Sequence, residues 1–114
     1  LDGPVKGSFD AAYNLDVLEH IHSSNEDTFM RNTIASIKRE GTVIIGAPSL
    51  ESQKYASAMS REGHVNCKTA QDLKTWLLKY FVNVFVFSMN DEVVHTGFYP
   101  MAHYLLAVCC TLRR

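Results

Sequence analysis

Two rhythms of apolar and polar positions divide this chain: short runs suited to strands and spaced stripes suited to helices. Phe9–Leu15 (FDAAYNL) is a brief apolar run with Asp10 at its start, and reads as a buried strand. Ser23, Ser24 and Asn25 offer N-cap side chains, followed by Glu26 and Asp27 where a helix's positive end favours acids. Phe29, Met30, Thr33, Ile34 and Ile37 then form an amphipathic stripe, with Lys38, Arg39 and Gly41 suited to the helix's C-terminal end. Residues 42–47 (TVIIGA) are a β-branched run ended by Pro48, which predicts a central strand. Residues 49–68 have weak periodicity and predict a long connection, with a turn or two of helix around 53–60. Thr69 opens a second helix, on which Leu73, Trp76, Leu77 and Tyr80 share one face, and Asp72 makes a variant capping box. Residues 81–89 alternate as a strand should, and Asn90, Asp91 and Glu92 make a turn. Residues 93–100 read as a polar-aromatic link. Residues 101–112 are nearly continuous in hydrophobicity, which predicts a last strand buried on both faces, with Arg113 and Arg114 in solvent.

The resulting order is β-α-β-α-β-β, an α/β chain with right-handed parallel crossovers and an antiparallel C-terminal hairpin. With 114 residues it forms one domain spanning the whole chain. The net charge of −1 removes the electrostatic case for nucleic acid or an anionic membrane as partner. No apolar run approaches the ~20 residues of a membrane span. The start, Leu1-Asp2-Gly3-Pro4, lacks the features of a signal peptide and an initiator Met, so a fragment or processed product is expected. Cys67, Cys109 and Cys110 are an odd count without metal-ligand spacing, which predicts reduced thiols and a cytoplasmic location.

Candidate chemistry gathers after the first strand. In a helical segment Asp16, Glu19 and His20 would share one face. Such groups suit a divalent ion in principle. Capping and packing explain Glu19 and His20 more simply, and no metal site is expected. As substrate-facing groups, His20 and His22 are balanced against structural roles, and a neutral His there could accept an acceptor's proton. His64 lies in the long connection, where a specificity role and a loop-anchoring role weigh equally. His95 and His103 read as structural or solvent-facing, and residues 89–92 lack the pattern of a calcium loop.

Three segments together carry a resemblance. They are FDAAYNLDVLEHI (9–21), REGTVIIGAP (39–48) and GHVNCKTAQDL (63–73). In order and spacing they resemble the fourth strand with its Leu-Glu-His turn, the fifth strand, and the lead-in to the next helix of class I S-adenosylmethionine-dependent methyltransferases, in the ubiquinone-biosynthesis-like subset. The resemblance covers about residues 9–112. It implies a Rossmann-like three-layer sandwich fragment, the C-terminal portion of such a domain, and methyl transfer from S-adenosylmethionine to a small-molecule acceptor. It places Asn14, Leu15 and Asp16 beside the cofactor, with Glu19, His20, His22 and His64 as substrate-facing candidates. It assigns no catalytic base. The family's Gly-x-Gly-x-Gly turn after its first strand has no counterpart here, so the isolated chain is expected to be inactive. The alternative is a non-catalytic association module. Its exposed first strand would pair with a second copy, giving a homodimer, or with a missing N-terminal portion.

Overall fold

A computed structural model describes residues 2–113; Leu1 and Arg114 lie outside the described residues. Its strands are β1 (Phe9–Leu15), β2 (Ile37–Pro48), β3 (Phe81–Asn90), β4 (Val93–His95) and β5 (Tyr104–Leu112). Its helices are α1 (Glu26–Ile34), α2 (Ala58–Gly63) and α3 (Ala70–Leu77), joined by 3-10 turns at Leu18–His20, Ser23–Asn25, Glu51–Tyr55 and Tyr99–Met101. The strands form one sheet in the order β1-β2-β5-β3-β4. β1 and β2 are parallel, and every other neighbouring pair is antiparallel.

Local chemistry explains most of the boundaries. Thr69 caps α3 by accepting the Asp72 backbone N–H at 3.1 Å, and Leu73, Trp76 and Leu77 go into the core. α1 is shorter than its stripe predicts. The Ser36 hydroxyl donates to the Thr33 carbonyl at 2.7 Å, turning the chain so that Ile37 begins β2 instead of continuing the helix. Lys38 and Arg39 therefore lie at the start of a strand. Lys38 reaches across to Asp10 of β1 at 2.8 Å, where the ladder shifts register between Phe9 and Ala11. Gly41 is required at this irregularity, since a Cβ there would meet the Lys38 and Asp10 carbonyl oxygens at 2.9 and 3.0 Å. The link after β3 holds the short strand β4 and a 3-10 turn, which shortens the last strand to Tyr104–Leu112. Arg113 is exposed and donates to the Leu78 carbonyl.

The expected three layers are two among the described residues, the sheet and the helices on one of its faces. The crossovers from β1 to β2 and from β2 to β3 run the same way across the sheet. Right-handedness then puts α1 and α3 on the same face. The two helices touch there through Asp27 of α1 and Trp76, Lys79 and Tyr80 at the end of α3. Met30, Leu73, Trp76 and Leu77 cover Val43, Ile45, Val84, Val86, Ala107 and Cys109. The other face keeps its side chains exposed or half-buried. Its cross-strand rows are Tyr13–Ile44–Val108–Phe85 and Leu15–Gly46–Leu106–Phe87. β5 is accordingly buried on one face only. β1, expected to be buried, is a largely exposed edge strand. No helix among the described residues is long and apolar enough to cross a membrane.

Candidate functional site

β1 delivers the chain to Asp16, which takes a left-handed conformation (φ 61°) and donates its N–H to the Gly46 carbonyl at 3.0 Å. Asp is one of the few residues that tolerates this conformation. The turn redirects the backbone into the 3-10 turn Leu18–His20, where Leu18 and Glu19 are buried. The Glu19 carbonyl accepts the N–H groups of Val65 and Asn66 at 2.9 and 3.1 Å, which pins this turn to the connection after α2. Glu26, at the start of α1, fastens the same connection by accepting from Asn66 Nδ2 and Lys68 Nζ, each at 2.9 Å.

These anchors bring His64 to Glu19 and His20. The metal-ligating atoms of the three residues all lie within 4.8 Å of one another. The His20 and His64 rings meet edge to face at 5.1 Å, and His20 Nε2 is 3.8 Å from Glu19 Oε2. Each imidazole is oriented from behind. His20 Nδ1 donates to the Gly63 carbonyl at 2.8 Å, and His64 Nδ1 donates to Gln53 Oε1 at 2.9 Å. Both rings thereby keep the Nε2 lone pair free, the arrangement in which a second hydrogen bond fixes the tautomer of a metal-ligating His. Glu19 is 1% exposed, and its Oε1 has no hydrogen-bond partner among the described residues. Burial raises its pKa, against the opposing effects of its own backbone N–H and of His20. A buried carboxylate with an orphaned oxygen beside two free imidazole nitrogens is a donor set that fits a divalent cation. Spacing alone does not reveal this set. Glu19 and His20 are adjacent in sequence, while the third donor comes from the far end of the long connection; Asp16, expected on one helical face with them, instead takes a left-handed turn before the 3-10 segment and is hydrogen-bonded to Tyr104.

The other predicted residues are spread around this cluster. Leu15 and Asp16 line a cavity of about 410 Å³ with Tyr104, Leu106 and His103. Asp16 is hydrogen-bonded to Tyr104, whose hydroxyl is pushed up in pKa by burial and then by the Asp16 charge. Gly46 makes this possible, because a Cβ there would meet the Tyr104 hydroxyl at 2.6 Å. Asn14 points to the helix side of β1, where it lines a separate cavity with Phe29 and Thr33. His22 stands apart from the donor cluster. Its Nδ1 lies 3.0 Å from the Ser24 hydroxyl and accepts the Ser24 N–H, capping the turn Ser23–Asn25. Gln53, which orients His64, and Tyr104, which holds Asp16, carry no sequence signal of their own; only the fold brings them in. Cys67 is raised to about 11 by burial and by the Glu19 charge, so it stays a thiol at neutral pH.

No family model matches the sequence, and no curated protein matches it. Among solved structures, the crystal structure of the methyltransferase domain of a bacterial Hen1 protein, CtHen1, superposes with a TM-score of 0.65 at 18% identity. The match covers 91% of this chain and 53% of the other. The chain has a methyltransferase-type fold. It spans about half the length of the methyltransferase chain it matches. Within this methyltransferase-type fold, the donor cluster follows the carboxyl end of the first strand, where open α/β sheets bind ligands.

Proposed function

We propose that the site serves divalent-metal-assisted methyl transfer from S-adenosylmethionine to an acceptor hydroxyl. The observation that carries this reading is the convergence of Glu19, His20 and His64 beside the turn after β1, with the buried Glu19 Oε1 lacking a hydrogen-bond partner among the described residues. A bound divalent ion would act as a Lewis acid, lowering the pKa of a hydroxyl that it holds.

The chain's own residues would do the rest. Glu19, His20 and His64 would hold the ion, with the two His residues presenting Nε2. Gln53 and the Gly63 carbonyl keep those rings from turning, so the geometry is set before a ligand arrives. The buried setting strengthens the electrostatics of the Glu19 carboxylate, whose charge burial alone would disfavour. Leu15 and Asp16 would form one wall for the methyl donor, Asp16 being held by Tyr104. Methyl transfer is an in-line displacement, so these residues act chiefly through positioning.

Manganese binding followed by electron paramagnetic resonance tests the reading. The wild-type chain is expected to take up one Mn²⁺. Glu19→Gln and His64→Ala are each expected to weaken binding by at least about tenfold, and Gln53→Ala by about tenfold through loss of ring orientation. Equal Mn²⁺ binding by wild type and both ligand variants, or none by wild type, sinks the proposal.

A further inference from the structure

Among the described residues, three buried side-chain oxygens lack a hydrogen-bond partner: Asn14 Oδ1, Glu19 Oε1 and Glu51 Oε1. Glu19 belongs to the donor cluster. Glu51 lines a different cavity, of about 350 Å³, between the 3-10 turn Glu51–Tyr55 and the start of α3. The Leu50 N–H donates to the Lys68 carbonyl at 2.9 Å, which holds this turn against the residues that open α3. Thr69, Ala70 and Gln71 line the cavity from that side, and Lys74 joins them one helical turn on. Thr69 caps only the Asp72 N–H, so those of Ala70 and Gln71 stay outside the helix ladder. Glu51 and Lys74 line the same space, yet neither forms an ion pair among the described residues. Val86 and Tyr99 add apolar surface, the Tyr99 ring being fixed by its hydroxyl, which donates to the Val86 carbonyl at 3.0 Å.

We propose that this cavity binds a small α-amino acid with an apolar side chain, at a site separate from the one that serves methyl transfer. A buried carboxylate oxygen without a donor is costly, and a ligand ammonium would supply the donor that Glu51 Oε1 lacks. The ligand carboxylate would be drawn to the positive end of α3 and the Lys74 ammonium. Its side chain would lie against Val86 and Tyr99. An anion and a cation in one cavity, unpaired with each other, select a zwitterion over either half of it, because a singly charged ligand leaves one group without a partner. The volume is at the small end of the ~300–1,000 Å³ of ligand pockets, which suits an amino acid. The methyl donor also carries an amino acid end. Its wall, Leu15 and Leu106, belongs to the open face of the sheet, whereas Val86 is in the covered core.

Backbone amide NMR shifts in a titration with L-leucine, to about 10 mM, read the site. The Ala70 and Gln71 amides are expected to move. Isocaproate, which lacks the ammonium, and isoamylamine, which lacks the carboxylate, are each expected to bind at least about tenfold more weakly. Glu51→Gln is expected to weaken L-leucine by at least about tenfold and to leave isocaproate and Mn²⁺ binding unchanged, so a failure here is distinct from a failure of the metal site. Ala70 and Gln71 amides that stay in place, equal binding of L-leucine and either analogue, or an unchanged L-leucine affinity in folded Glu51→Gln overturns the proposal. If Glu51→Gln does not fold, the comparison of the three ligands on wild type decides. S-adenosylmethionine is expected to leave these two amides in place. Shifts like those of L-leucine would give the cavity to the methyl donor and overturn a separate site.

Discussion

Replacing Asp27 with Ala should cost the fold about 2 kcal/mol. Asp27 Oδ1 accepts from Trp76 Nε1 at 3.0 Å, from Lys79 Nζ at 3.1 Å and from the Tyr80 hydroxyl, and these bonds tie the first turn of α1 to the end of α3. A hydrogen bond to a charged group is worth about 1.5–3 kcal/mol. The Asp27 side chain is 38% exposed, so the lower end applies to the Trp76 and Tyr80 bonds, and the exposed Lys79 pair adds at most about 0.5 kcal/mol. Part of the sum returns as solvation of the freed donors, which leaves about 2 kcal/mol and a fall in Tm of about 8 °C. The pH dependence provides an internal check. Hydrogen bonds from Tyr80, Trp76 and Lys79 lower the Asp27 pKa to about 2, below the ~3.9 of an unfolded Asp. A lowered folded-state pKa gives stability that is complete above the unfolded value and is lost as pH falls through about 2. With solvent screening this amounts to about 1 kcal/mol. Thermal melts of wild type and Asp27→Asn should therefore be separated at pH 6 and converge toward pH 2. Curves that stay parallel over that range, or an Asp27→Ala Tm within 2 °C of wild type at pH 7, would refute the reasoning.

Two further expectations concern backbone strain and thiol reactivity. Thr111 has φ 65°, a left-handed conformation that costs a β-branched residue about 1–2 kcal/mol, so Thr111→Gly should raise Tm by about 3 °C; a lower Tm would place the cost elsewhere. The Cys67 thiol, at about 11, should alkylate slowly at pH 8 and several-fold faster in Glu19→Gln, which removes the neighbouring charge; a wild-type rate that levels off near pH 8.5 would contradict the burial argument.

What could be read from the sequence was local, and what could not was decided by contacts between distant segments. The Thr69 cap, the Leu73, Trp76 and Leu77 stripe and the β1 run needed only neighbouring residues, and all appear where periodicity puts them. The end of α1 escaped because Ile37 fits a helical stripe as well as a strand, and the choice fell to one Ser36 hydroxyl bond. The layer count escaped for a different reason. The outward positions Ile44, Val108 and Phe85 are as apolar as the buried Val43, Cys109 and Val84 beside them, so hydrophobicity alone cannot say which face is covered. Crossover handedness decides it, once both crossovers are seen to run the same way. The donor cluster follows the same logic. Glu19 and His20 were legible as a suggestive pair, but a pair of adjacent side chains is as well explained by packing as by a ligand. The third donor, His64, arrives because the Glu19 carbonyl holds Val65 and Asn66, and Glu26 holds Asn66 and Lys68. The long connection, weak in periodicity because it follows no regular element throughout, is thus tethered by backbone and buried polar bonds. Its tethering is what places an imidazole beside a buried carboxylate.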